Sequence, residues 1–72
     1  MKSKYWAIFE KTETGYSAFV PDLPGCVATG GTKEEAATLI QEAIEFHLEG
    51  LALEDLPIPS SNTEAELVTV DY

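Results

Sequence analysis

Residues 15–36 read GYSAFVPDLPGCVATGGTKEEA, and this stretch decides the fold. Residues 16–20 are aromatic, small or β-branched, a composition typical of a β-strand. Pro21 and Pro24 cannot donate backbone hydrogen bonds to a sheet, so the strand must end at this corner. Residues 26–29 predict a second, short strand, which stops at two consecutive glycines. The stretch therefore predicts two antiparallel strands joined by a proline-bounded corner.

A helix is predicted directly after the two glycines. Thr32 is a favourable N-cap residue, and Glu35 three positions later completes a capping box. Apolar residues then recur every three or four positions, as in a helix with one buried face. They are Ala36, Leu39, Ile40, Ala43, Ile44, Leu48 and Leu51, and His47 recurs at the same spacing. We expect the helix to end between residues 50 and 54.

Two further strands are predicted outside this stretch. Residues 4–11 form the first strand of a hairpin with residues 16–20, and residues 66–70 form the last strand, after a proline-stiffened loop at 56–62. The predicted class is α+β with the order β-β-β-α-β in one domain, residues 1–72. Short connections make the first three strands an antiparallel meander, with the helix on one face. The fourth strand returns parallel to the first, giving the spatial order 3-2-1-4 of a truncated ribonuclease-H-like fold.

Composition restricts the classes of function. The chain has 72 residues, 13 acidic against 4 basic, and a net charge of −9. Such a surface repels phosphate backbones, so we expect no direct nucleic-acid binding. It would attract a basic protein, although an acidic surface also serves simply to keep a small protein in solution. A domain of this size is marginally stable alone, and we therefore expect a homo-oligomer.

The single cysteine and the start of the chain bear on location. Cys26 has no partner for an internal disulfide, which fits a reducing compartment. No long apolar run follows the first lysines, so neither a signal peptide nor a membrane span is predicted. We expect a cytoplasmic protein without membrane contact.

The hairpin predicts a sheet with two apolar faces. If Phe9 lies opposite Ala18, the two strands present Tyr5, Ala7, Phe9, Tyr16, Ala18 and Val20 on one face. We assign this face to the helix because its alanines allow close approach. Trp6, Ile8 and Phe19 then share the other face, which nothing is left to cover. The faces could be reversed, or the 56–62 loop could cover part of this cluster.

No catalytic, cofactor or metal site is predicted. Glu10, Glu42 or Glu45, and Asp71 are loose candidates for the carboxylates of a two-metal nuclease, but the helical pair lies on the predicted solvent side. His47 fits a half-buried packing residue, and Cys26 a small core residue.

The corner and the helix start together resemble the HicB family of antitoxins. The shared features are the P-D-L-P-G-C sequence at residues 21–26 and the G-x-T-x-x-E-A pattern at residues 30–36. The resemblance implies the same β-β-β-α-β fold and the role of an antitoxin in a type II toxin–antitoxin pair, with no enzymatic activity. The implied partner is a small basic HicA-like ribonuclease that cuts messenger RNA.

We predict that Trp6, Ile8 and Phe19 contact this partner, together with Asp22 and Leu23 of the corner. Asp22 could instead cap its own turn. Many HicB proteins continue into a DNA-binding domain that does not follow residue 72, so we expect no promoter repression by this chain alone. The alternative function is a stand-alone oligomeric binding module with no cognate toxin.

Overall fold

The computed structural model describes residues 3–72 and contains three strands followed by one helix. The elements are β1 (Ile8–Lys11), β2 (Tyr16–Phe19), β3 (Val27–Gly30) and α1 (Lys33–Leu53). The sheet order is β1-β2-β3, and both neighbouring pairs are antiparallel. The predicted α+β class and antiparallel meander are therefore confirmed.

The register of the sheet places the two apolar sets on opposite faces, as predicted. Phe9 lies opposite Ala18, which lies opposite Ala28. This row faces the helix, because Ala18 is buried and Phe9 and Ala28 pack against the core. Ile8 and Phe19 belong to the next row and point away from the helix.

Small residues bring the helix close to the sheet. The buried residues are Ala18, Val20, Leu23, Cys26, Ala36 and Ile40. A Cβ atom on Gly30 would lie 2.7 Å from the backbone nitrogen of Ala36, so the first turn of α1 packs directly against the end of β3. A Cβ on Gly31 would meet nothing within 4 Å. Of the two glycines, only Gly30 is required by this close approach.

Both ends of α1 agree with the sequence prediction. At the start, the Glu35 N–H donates to Thr32 Oγ1 at 3.1 Å, and the Glu35 carboxylate accepts a long hydrogen bond from the Gly31 N–H at 3.4 Å. At the end, Asp55 adopts the left-handed region with φ 57°, and the Leu56 N–H donates to the Leu51 carbonyl at 2.9 Å. This hydrogen bond caps the last turn.

The fourth strand predicted at residues 66–70 is not formed in this structure. The chain after α1 is tied down earlier, because the Tyr5 hydroxyl donates to the Pro59 carbonyl at 2.6 Å. The Asp22 carboxylate then accepts hydrogen bonds from the N–H groups of Asn62 and Thr63, both at 3.2 Å. These contacts hold the loop at the corner between β2 and β3, and residues 64–72 continue from there without strand pairing. None of residues 3–72 belongs to a helix that is long and apolar enough to cross a membrane.

Candidate functional site

The sheet face opposite the helix carries a continuous apolar cluster. Ile8, Phe19 and Val27 are direct neighbours across the three strands. Trp6 lies two residues before Ile8, and its exposed side chain stands between Tyr5 and Ala7, which pack against the core on the other side. Trp6 is 47%, Phe19 37% and Val27 65% exposed, and Ile8 is half-buried. We call these four residues the open-face patch. A contiguous apolar surface of this kind usually marks a site of interaction.

The remainder of the same face is polar. Glu10, Ser17 and Thr29 form the next row on this face, also directly opposite one another. The patch therefore has an apolar centre beside a polar border that carries a carboxylate. This arrangement matches the apolar core and polar rim of protein–protein interfaces.

The structure brings together three of the five partner-binding residues that the sequence predicted. Trp6, Ile8 and Phe19 share the open face, whereas Leu23 is fully buried and its side chain belongs to the core. The reason is that the corner folds inward, with the Leu23 N–H donating to the Val20 carbonyl at 3.1 Å. Leu23 is therefore a correction, since its side chain has no surface to offer a partner. Asp22 is occupied by the 62–63 backbone, and Thr63 Oγ1 adds a hydrogen bond of 3.0 Å.

Val27 is the patch residue that the sequence interpretation missed. The sequence predicts Val27 only as part of a short third strand. Its position opposite Phe19 follows from the pairing of β2 with β3. The apolar character of Val27 is the signal that the sequence offers. To place Val27 opposite Phe19, the register between β2 and β3 is also needed, and this register depends on the length of the corner between them.

The loop after the helix covers only the border of the open face. Ser61 lies near Trp6 and lines a small cavity with it, with Lys4 and with Tyr5. Trp6 and Phe19 nevertheless stay exposed. The 56–62 loop therefore leaves the apolar cluster open and reaches only the edge beside Trp6.

Two observations concern metal-binding and nucleophilic side chains. Among residues 3–72, no three histidine, cysteine, aspartate or glutamate side chains lie close enough together to hold a metal ion. Cys26 is buried, and desolvation raises the pKa of its thiol above the ordinary value, which disfavours the reactive thiolate. The arrangement suits binding through a surface.

Comparison with known proteins is consistent with this interpretation. Residues 5–71 match the family described as the HicB-like antitoxin of bacterial toxin–antitoxin systems. The chain belongs to this HicB-like antitoxin family. Antitoxins of this family are binding proteins, so this HicB-like chain is not an enzyme.

Relatives of this HicB-like chain occur in bacteria and a phage. A UPF0150 protein of Helicobacter pylori is 52% identical over 50 residues, which cover 69% of each chain. An uncharacterised 14.9 kDa protein of Haemophilus phage HP1 is 45% identical over 81% of this chain and 44% of its own length. Antitoxin HicB 2 of Photorhabdus laumondii is 35% identical over 86% of this chain and 46% of its own length. The chain thus spans less than half the length of the last two relatives.

A solved structure supports the fold. One chain of a HicA3 and HicB3 toxin–antitoxin complex superimposes with a TM-score of 0.69 at 31% identity. The match covers 85% of this chain and 72% of the other. The fold of the HicB-like chain is therefore one that occurs in a toxin–antitoxin complex.

Proposed function

We propose that this chain is an antitoxin that binds and masks a small, basic, HicA-like ribonuclease through the open-face patch. The observation that carries the proposal is that patch, an exposed apolar cluster on the sheet face opposite the helix. The family and the structural relative from a toxin–antitoxin complex support the choice of partner. Because an mRNA-cleaving toxin acts in the cytoplasm, we infer that the antitoxin works there.

Charge and apolar area have separate roles in this proposal. The net charge of −9 attracts a basic toxin over a distance and accelerates encounter. Once the two proteins are in contact, burial of Trp6, Phe19 and Val27 slows dissociation. Acidic groups bordering the patch would also compete with RNA phosphates for the toxin's basic surface.

Binding of a purified HicA-like toxin, taken from a neighbouring gene where one is present, tests the proposal. We expect Val27→Asp to weaken the complex about 30-fold or more, equivalent to about 2 kcal/mol, because a charge would be buried in the apolar interface. Val27 is exposed on the edge strand β3, so the isolated fold should survive, as circular dichroism will show. Trp6→Ala should cause a comparable loss.

Phe46→Asp is the matched control. Phe46 is also large, apolar and 79% exposed, but it lies on α1 rather than on the sheet. We expect its substitution to change the affinity less than about twofold, as for a residue outside an interface. Equal losses for Phe46→Asp and Val27→Asp would contradict the proposed surface. A toxin that stays active and does not co-purify with the chain would leave the stand-alone binding module as the function.

A further inference from the structure

We propose that two copies of this chain exchange residues 66–72, each copy adding this segment as a strand to the free edge of β1 in the other. The exchange fills a groove on the helix side of the sheet, opposite the open-face patch. It explains two features of the structure that a single copy leaves unsatisfied.

The first feature is an open groove beside β1. Helix α1 packs mainly across β3 and β2, and an open space of about 810 Å³ remains between the helix and the β1 side of the sheet. The apolar residues lining this groove are Tyr5, Ala7 and Phe9 from the sheet side and Ile40, Ile44 and Leu48 from the helix. The groove therefore extends the hydrophobic core to a surface that is open in one copy.

The backbone at the border of this groove is also available. β1 pairs with β2 on one side only, and no strand within residues 3–72 pairs with its other edge. An edge strand of this kind presents a row of backbone donors and acceptors to a further strand. An added strand would satisfy these groups and direct alternate side chains into the groove.

The second feature is an unpaired segment with the composition of a strand. Residues 66–72 read ELVTVDY, with alternating and β-branched apolar residues. Val68 is 72% and Val70 70% exposed, and Leu67 and Tyr72 are fully exposed. In a strand, Val68, Val70 and Tyr72 would share one face, as required of side chains that fill a groove.

The hydrogen bonds at Asp22 hold residues 62 and 63 but leave the segment free. The overall shape agrees with this, because the radius of gyration is 14.0 Å, whereas a compact chain of this length has about 11 Å. The longest dimension is 48 Å against 20 Å for the shortest. The chain is therefore more extended than a compact domain of its length, and its last residues have no strand partner.

Charge favours pairing of the segment with β1. The lysines among residues 3–72 are Lys4, Lys11 and Lys33, and all three adjoin this side of the molecule. Lys4 lines the groove, Lys11 ends β1, and Lys33 Nζ lies 5.6 Å from the centre of the Phe9 ring. Glu45 also borders the groove, so a carboxylate is favoured beside Lys4, which precedes β1, and beside Lys11, at the end of β1.

Two acidic residues match these lysines, one just before the segment and one within it. Glu64 and Asp71 are seven residues apart, as are Lys4 and Lys11. With the valines facing the groove, a strand laid antiparallel to β1 can therefore place Glu64 beside Lys11 and Asp71 beside Lys4, each pair on one face of the sheet. Opposite charges on neighbouring strands stabilise pairing.

We take the occupant of the groove to be the segment of a second copy of this chain. The exchange then fills the groove and pairs the segment in both molecules. In a two-fold exchange each molecule donates one segment and accepts one, and the assembly closes as a dimer. Each copy would bury its exposed valines and close its groove in the same step. Two copies repel each other through their net charge of −9. This repulsion is opposed locally, because the lysines beside β1 of each copy meet the acidic segment of the other.

Sedimentation of the full chain tests the exchange. We expect a dimer for the unmodified protein and a monomer for Val68→Asp/Val70→Asp, because two buried charges would oppose insertion into the groove. Phe46→Asp is the control and should remain dimeric. A dimer that persists in the double variant, or a strict monomer of the unmodified protein at high concentration, would overturn the proposal.

Isotope-filtered NMR distinguishes exchange from folding back within one chain. A mixture of ¹³C-labelled and unlabelled chains is refolded together, and contacts between the two populations are recorded. We expect intermolecular contacts from the Val68 and Val70 methyl groups to Ala7 and Ile44. Contacts confined to one chain would overturn the exchange. Val68→Asp/Val70→Asp should still bind the toxin if the open-face patch is correct, so the two proposals fail independently.

Discussion

At the scale of single residues, Asp22 has the most consequential role. Its carboxylate accepts hydrogen bonds from the Asn62 and Thr63 N–H groups and from Thr63 Oγ1, at 3.0 to 3.2 Å. These partners lie 40 and 41 positions further along the chain. The sequence suggested a turn cap or a contact with a partner's cation, and the structure shows a contact that closes the fold.

We predict that Asp22→Ala lowers the free energy of unfolding by about 1–3 kcal/mol, because three donors lose a charged acceptor. Urea denaturation measures this change. Glu49→Gln, at an exposed position on the helix, serves as the control and should change the stability by less than about 0.5 kcal/mol. An Asp22→Ala variant as stable as the unmodified chain would show that the loop is held by other contacts.

At the scale of elements, the junction between β3 and α1 sets how closely the helix packs against the sheet. The N-cap at Thr32 starts the helix, and Gly30 removes the side chain that would separate it from the strand. The result is that Ala36 in the first turn is fully buried. The residue that starts the helix, Thr32, thus lies two positions after the glycine that lets the helix pack closely, Gly30.

We predict that Gly30→Ala destabilises the fold by about 1–3 kcal/mol, since the new methyl group would displace backbone rather than a flexible side chain. Gly31→Ala is the matched control, because its methyl group meets nothing within 4 Å. Its stability should be unchanged or slightly higher. Thermal denaturation of the pair gives the difference, and equal midpoints would contradict the close packing at Gly30.

At the scale of the whole molecule, the net charge of −9 opposes compactness as well as attracting a partner. Glu42, Glu45 and Glu49 add to this on one side of α1, where their spacings of three and four residues bring like charges together. The same charge that favours encounter with a basic protein therefore reduces the stability of the isolated chain.

We predict that the double variant Glu42→Gln/Glu49→Gln is more stable than the unmodified chain by several tenths of a kcal/mol at about 20 mM NaCl. Raising NaCl to about 0.5 M should then stabilise the variant less than it stabilises the unmodified chain. Glu34→Gln is an informative control, because Glu34 lies in the first turn of α1, where a negative charge is favourable. It should lower stability although it also removes a negative charge. A gain in all variants would mean that net charge alone matters.

Much of the fold could be predicted from local sequence signals. Pro21 and Pro24 end a strand because they lack a backbone donor, and Thr32 with Glu35 starts a helix because the two residues satisfy free N–H groups. Alternation along β1 and β2 placed Ile8 and Phe19 on the face away from the helix. These effects act within about four residues or across one hairpin, so the sequence determined them.

Only the tertiary structure decided where distant segments meet. The inward fold of the corner buries Leu23, and the register of β3 adds Val27 to the open-face patch. The chain returns to Asp22 at residues 62 and 63, and residues 64–72 form no strand after it, although the composition of residues 66–72 is that of a strand. A strand needs a partner, and its availability depends on loop paths and long-range hydrogen bonds that no local pattern specifies.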